Sequence, residues 1–327
     1  MPNQAVILSA ARSAIGTYQG SLASFTAPQL GALAIREAVK RANINSDDLD
    51  EVIMGQVVQG GSGQAPGRQA AIYGGIPSKV PVMTVNKVCG SGLKAVMLSA
   101  QAIKAGDGHL YVAGGQESMS NTPYVLHGAK TGLKFGHKQI QDMMILDGLW
   151  DSFNDFHMGN AAEYTATKAC LTREMLDEYS YNSQQKASKA IKEGKFRNEI
   201  FPIEIKQAKG DPKIFDTDEG PRADTTIEKL AKLKAAFQKD GVVTAGNAPG
   251  LNDGSAALVV SSMEYAEKHG HKPIARIIDY TAAGTDPKDL FFAPIFAVRK
   301  MMAKLNVGVN HWDLIEANEA FAAQCLA

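Results

Sequence analysis

The chain has 327 residues, 45% of them hydrophobic and 21% charged, with 34 basic side chains against 34 acidic ones. That length allows two domains with sizeable cores, and the balanced charge excludes nucleic acid or an anionic membrane surface as the main partner. Three cysteines, at 89, 170 and 325, are too few and too scattered for a disulfide framework or a zinc site, which fits a reduced, cytoplasmic setting.

Residues Met1 to Gln4 run straight into a strand, with no basic leader, and no stretch approaches a transmembrane span. Strands are predicted over 5–9, 51–59, 80–88 and 110–113, and helices over 28–42, 64–73 and 93–105. This alternation predicts a layered α/β unit with a largely parallel sheet. Cys89 falls where the β-branched run 80–85 meets Gly90-Ser91-Gly92 and then a helix with Leu93, Val96, Met97, Ala100 and Ile103 on one face. A thiol there meets the unpaired N–H groups and positive end of a helix, which favour thiolate, and the glycines let a second backbone or a substrate come close. A cysteine packed at a strand end is the alternative; the strand-to-helix placement favours a nucleophile.

Residues 121–244 are polar, with a helix predicted over 173–194 and an extended piece over 201–205. An excursion of that size over one face of a core usually carries function. Strands are then predicted over 256–260, 274–279 and 314–317, with a helix over 294–305.

An internal repeat organises the whole. Residues 33–43 align without a gap on 296–306 and 49–53 on 312–316, so that Arg36, Asn43 and Asp50 fall on Arg299, Asn306 and Asp313. Two halves of like helix–strand order are expected. In the first half another helix, the Cys89 strand, its helix and a further strand follow the block. The sequence instead ends at Ala327, about a turn past the second copy, so the second half is expected to lack roughly sixty residues of its layered unit.

Four motifs then resemble those of thiolases, in family order: Asn86-Lys87-Val88-Cys89-Gly90-Ser91-Gly92, Gly114-Gly115-Gln116-Glu117-Ser118-Met119-Ser120, Thr244-Ala245-Gly246-Asn247 with Leu251-Asn252-Asp253-Gly254, and Asn318-Glu319-Ala320-Phe321-Ala322. The resemblance implies a five-layered αβαβα fold of two similar halves plus a loop domain, with the second half incomplete. It divides the chain into an N-terminal half over 1–120, completed by 251–270, a loop domain over 121–250, and a C-terminal half from 271–327. The implied activity is that of an acetyl-CoA acetyltransferase. Two acetyl-CoA molecules condense to acetoacetyl-CoA and CoA, or the reverse, through an acyl group on Cys89, so that one hard step becomes two easier ones.

By the same resemblance Asn318 holds a water in the oxyanion hole for the thioester enolate, where a neutral donor is needed; its alternative is a cap on a helix starting at Glu319. His157-Met158-Gly159 resembles the loop-domain motif of the short-chain, biosynthetic branch and would line the pocket beside the acyl group. Leu149, Arg222, Phe237 and Ala245 would line the CoA groove, and Phe321 the acyl pocket. No metal and no permanently bound cofactor is implied; coenzyme A thioesters are the substrates. The segment 121–144 corresponds to a loop through which many such enzymes form tetramers, so a homodimer or homotetramer is expected.

Two elements of the pattern have no counterpart in these 327 residues: a Gly-His-Pro whose histidine activates the cysteine, and a Cys-x-Gly-Gly-Gly whose cysteine moves protons at the α-carbon. Each such group contributes about 10²–10⁴-fold in rate, so the chain is expected to be a truncated and incompetent form of its enzyme. Ala248-Pro249-Gly250 also replaces the usual Ala-Ser-Gly and removes a hydroxyl donor to the pantetheine arm. The alternatives are a degradative 3-ketoacyl-CoA thiolase and a non-catalytic thiolase-like protein that binds CoA esters. His157-Met158 argues against the first, and the retained Cys89 and Asn318 against the second.

Overall fold

A computed structural model describes residues 4–327. By internal contacts the chain divides into two compact units. The first comprises Met1–Gly148, Lys195–Gly220 and Leu251–Ile278, and the second Leu149–Gly194, Pro221–Gly250 and Asp279–Ala327.

The first unit is built on a mixed sheet. Its principal strands are β1 (Ala5–Ser13), β2 (Glu51–Gly55), β3 (Val82–Val85), β4 (Leu110–Ser118), β5 (Ile200–Phe201) and β6 (Asn252–Ser262), in the spatial order β5-β1-β6-β4-β2-β3. The β4–β2–β3 half is parallel, as the alternating pattern predicts. The expectation of a largely parallel sheet fails on the other side. There β6 enters antiparallel between β1 and β4, pairing Ser261 with Leu110 through to Asp253 with Ser118. The long excursion returns the chain from the opposite end of the sheet, a direction that local periodicity does not encode.

Helices cover both faces. On one, α1 (Ala27–Ala42) buries Leu30, Ala34, Ile35 and Ala38 against the sheet, beside α2 (Pro66–Tyr73). Val52 and Met54 of β2 join this core. On the other, α3 (Ser91–Ala105) buries Ala95, Ala100 and Ile103 against β4 and β2. Leu93, expected on its buried stripe, is 69% exposed, because the packed stripe runs through Ala95 and Ser99 instead.

The second unit holds α4 (Met158–Lys168), α5 (Arg173–Lys192), α6 (Ala293–Leu305) and α7 (Ala322–Leu326). Its core joins Ala162, Ala166, Leu176, Val243 and Phe321–Ala323. The repeat is visible down to the caps: α1 ends at Asn43 (φ 51°) and α6 at Asn306 (φ 54°), both left-handed, and each is followed by a short 3₁₀ turn, 46–48 and 309–311. Asparagine tolerates that conformation better than other residues with a side chain. The repeat then breaks. The strand expected over 314–317 is absent, and Leu314 and Ile315 are 78% and 68% exposed. Its counterpart β2 is paired along both edges, whereas 314–317 pairs with no strand among the described residues. An extended run without ladder partners is not a strand.

What positions the Cys89 turn is a contact between backbones. A Cβ at Gly55, the last residue of β2, would lie 2.6 Å from the carbonyl carbon of Ser91 and 2.7 Å from the nitrogen of Gly92. Gly92 in turn lies against Gly115 of β4. Gly55→Ala therefore forces α3 off the sheet, and we expect a loss of about 1–3 kcal/mol in urea unfolding. An unchanged midpoint would show that the contact is not tight.

Candidate active site

Cys89 is exposed, two residues before the first turn of α3. The segment bearing it is cinched from both sides. Ser91 accepts the Lys87 N–H on Oγ at 2.8 Å and donates from Oγ to the Val88 carbonyl at 2.6 Å. The Gly90 and Ser91 amides donate back to Lys87 and Val88 at 3.1 and 3.0 Å. Val88 has φ 48°, a left-handed conformation that a β-branched residue adopts only under constraint. The turn presents Cys89 to solvent beside the N-terminus of α3.

In the second unit four of the predicted substrate residues come together. His157 stacks on Phe237 with ring centroids 5.1 Å apart, and Phe237 meets Phe321 edge-on at 6.4 Å. Met158 packs against the same core. The glycine of His157-Met158-Gly159 has a steric reason: a Cβ there would lie 2.2 Å from the Phe237 ring. His157 caps α4, its Nδ1 accepting the Gly159 N–H at 3.0 Å. That bond fixes the tautomer and leaves Nε2–H as a donor, while burial holds the imidazole below its ordinary pKa and so neutral.

Two buried polar residues shape this region, and the sequence reading weighed a role for neither. Glu163, on α4, accepts the Val242 and Val243 N–H groups at 3.0 and 2.9 Å. Asn247 accepts the Thr244 N–H at 2.8 Å and donates to Asp177 at 2.9 Å and to the Val242 carbonyl at 3.0 Å. Its own carbonyl takes the Ala322 N–H at 3.1 Å, next to Phe321. Asn247, in Thr244-Ala245-Gly246-Asn247, is a polar residue flanked by small ones within a motif, which is the available signal for it, whereas Glu163, between Ala162 and Tyr164, carries none.

The remaining predicted residues are more dispersed. Asn318 sits in an exposed loop and caps no helix, because α7 begins only at Ala322, with Phe321 as its cap. Next to it Glu319 is held by the Tyr179 hydroxyl at 2.8 Å and the Ser183 hydroxyl at 2.6 Å. Ala245 and Arg222 are exposed and Leu149 half-buried. The Arg222 amide donates to Gln184 at 2.7 Å, which leaves the guanidinium outside that bond. Cys89 belongs to the first unit and all the other predicted residues to the second. A cleft of about 540 Å³ in the second unit, between Trp150, Phe156, Asn160, Tyr164 and Lys288, is lined by none of them. Among the described residues no group of His, Cys, Asp and Glu is arranged to hold a metal ion. No helix among them is long and apolar enough to cross a membrane.

Residues 5–264 match the family described as thiolase, N-terminal domain, and residues 271–327 the thiolase, C-terminal domain. An acetyl-CoA acetyltransferase of Pseudomonas aeruginosa is 56% identical over 98% of this chain and 82% of its own length. One from Allochromatium vinosum is 50% identical over 100% of this chain and 83% of its own. The crystal structure of the Bacillus anthracis acetyl-CoA acetyltransferase superposes with a TM-score of 0.96 at 43% identity, covering 99% of this chain and 82% of that one. The truncation expected from the repeat is not borne out by these matches.

The state of His157 is open to titration. Its pKa in the fold lies below 6.5, so its contribution to stability is present above that value and is lost as pH falls. An NMR titration, assigned with His157→Gln, is expected to show a midpoint below 6.5. A midpoint at or above it would mean that the imidazole is not buried against Phe237.

Proposed function

This chain belongs to the thiolase family, and on that premise we propose that it is an acetyl-CoA C-acetyltransferase. The observation that carries the reading is the strained, cinched turn that presents Cys89 at the start of α3. Its sulfur attacks the carbonyl of acetyl-CoA, and CoA leaves as the thiol, so that the acetyl group becomes a thioester of Cys89. The enolate of a second acetyl-CoA then attacks that carbonyl, forming the carbon–carbon bond of acetoacetyl-CoA and freeing Cys89. Run backwards, free CoA cleaves acetoacetyl-CoA.

Asn318 supplies the neutral donor for the enolate oxygen, through a water, and the grip of Tyr179 and Ser183 on Glu319 steadies its loop. Proton transfer at the α-carbon is assigned to no residue of these 327. The His157–Phe237–Phe321 cluster forms the wall for a short acyl group, with Met158 beneath it, and the His157 Nε2–H is a donor for a thioester carbonyl. Leu149, Phe237, Ala245 and Arg222 line the groove for coenzyme A, with Arg222, exposed and cationic, suited to its phosphates.

The same proposal takes in the assignment of 121–250 as a loop domain between the halves 1–120, with 251–270, and 271–327. It includes a homodimer or homotetramer in the cytoplasm, acting on CoA thioesters without a permanently bound cofactor. The exposed Leu133, Phe135 and Ile140 in the 121–144 segment support the assembly, since apolar side chains so placed mark contact surfaces.

The acylation half-reaction gives the test. The protein should exchange isotopically labelled CoA into acetyl-CoA, Cys89→Ala should abolish the exchange, and acetoacetyl-CoA should be cleaved in preference to longer 3-ketoacyl-CoA substrates. Exchange that survives Cys89→Ala would remove the nucleophile from the account, and a preference for long chains would favour the degradative reading.

A further inference from the structure

The turn that presents Cys89 is tied to the rest of its unit by a chain of hydrogen bonds that the acyl-transfer reading does not use. Glu117, next to the last residue of β4, accepts the Val57 N–H at 2.7 Å and the Val58 N–H at 3.2 Å. The carbonyl of that same Val57 accepts from Asn86 Nδ2 at 3.1 Å. Asn86 Oδ1 takes the Val88 N–H at 2.9 Å, at the residue whose φ is 48°. A carboxylate is thus linked to the peptide before Cys89 through one backbone amide and one side-chain amide. Val88 does not hold a left-handed conformation by preference, so something must impose it, and this chain reaches its N–H directly.

We propose that Glu117 is a positioning residue for acyl transfer: through the Val57 peptide and Asn86, its carboxylate holds the turn at Val88 that presents Cys89. The proposal rests on Cys89 as the nucleophile and adds what fixes its place. Glu117 does not touch the reacting atoms.

Its carboxylate is a poised group. Burial pushes the acid up to about 7, partly offset by the two amide bonds. No charged side chain contributes to that shift. The ionisable groups on the elements packed against β4 are Arg36, Glu37, Lys40 and Arg41 on α1, Lys94 and Lys104 on α3, Glu51 on β2, and Asp253 on β6, beside Gly254, the strand partner of Glu117. As a carboxylate, Glu117 offers lone pairs to both N–H groups; protonated, it turns a donor towards them. The clamp therefore holds above pH 7 and loosens below. Stability runs the other way, because a carboxyl whose folded pKa is raised stabilises the fold below its unfolded value, and that contribution is lost as pH rises through about 7. A residue serving the fold alone would not make reactivity rise as stability falls.

The test uses iodoacetamide on the whole protein, with alkylation mapped separately at Cys89 and at the exposed Cys170 as an internal control, from pH 5.5 to 8.5 (roughly the range over which a group poised near neutral pH changes charge). Cys89 should show an inflection near pH 7 in addition to the titration of a thiol. Glu117→Gln should remove it and slow Cys89 by about 10- to 100-fold, leaving Cys170 unchanged. Asn86→Ala should give the same loss, and the double variant no further loss, because both act through one path. Wild-type rate and profile in Glu117→Gln, or losses that multiply in the double variant, would overturn the proposal. Should Glu117→Gln fail to fold, the exposed Asn86→Ala decides alone. Alkylation needs no acetyl-CoA, so this result stands apart from whether the protein transfers acetyl groups.

Discussion

The first unit depends on one close approach, between the carboxyl end of the parallel strands and the start of α3. Gly55 removes a side chain that would otherwise strike the Ser91–Gly92 backbone, and Gly92 and Gly115 meet at ordinary contact distance. With the helix seated there, its first turn lies at the sheet end and the residues before it must turn sharply. That turn is where Val88 becomes left-handed and Cys89 projects. Ser91 closes one side of it and Asn86 the other. The placement of Cys89 is thus a consequence of backbone packing.

The second unit achieves its shape by a different means, the satisfaction of backbone groups by buried side chains. Glu163 takes two consecutive amides of the 241–243 turn, and a Cβ at Gly241 would lie only 2.1 Å from its oxygen. Asn247 bonds that turn to α5 through Asp177 and, by its own carbonyl, to α7 through Ala322. Asp177 is in turn ion-paired to Arg173 at 2.7 Å, so the network is paired as well as buried. These ties deliver Phe237 and Phe321 to His157. Loss of one partner would leave another buried and unmet, which costs more than the bond contributes.

Much of this was legible in the sequence, for physical reasons. Helices α1, α3 and α6 lie where the sequence places them, α3 by its apolar spacing, and in the fold they end at Asn43, Gly106 and Asn306, residues suited to left-handed caps. Cys89 stood out because a small-residue turn between a strand and a helix serves few other purposes. The sheet direction was not legible: β6 is antiparallel because of where a 130-residue excursion returns, and no local pattern carries that. Nor was the absence of a strand over 314–317, since a β-rich run becomes a strand only when a partner edge is present. The alternative of a cap at Asn318 fails because the helix starts three residues beyond Glu319. Glu117 and Asn247 lie in the motifs over 114–120 and 244–247, yet their partners lie 60 and 70 residues away, beyond any spacing rule.

The central claim is that this fold makes Cys89 the acyl carrier, and a single-turnover experiment addresses it directly. The protein is mixed with a stoichiometric amount of isotopically labelled acetyl-CoA, quenched in acid and digested, and a parallel sample receives excess CoA before the quench. The account predicts one acetyl group, on Cys89, which the added CoA removes as acetyl-CoA. Label on Cys170 or Cys325, or an acetyl group on Cys89 that CoA cannot discharge, would contradict it.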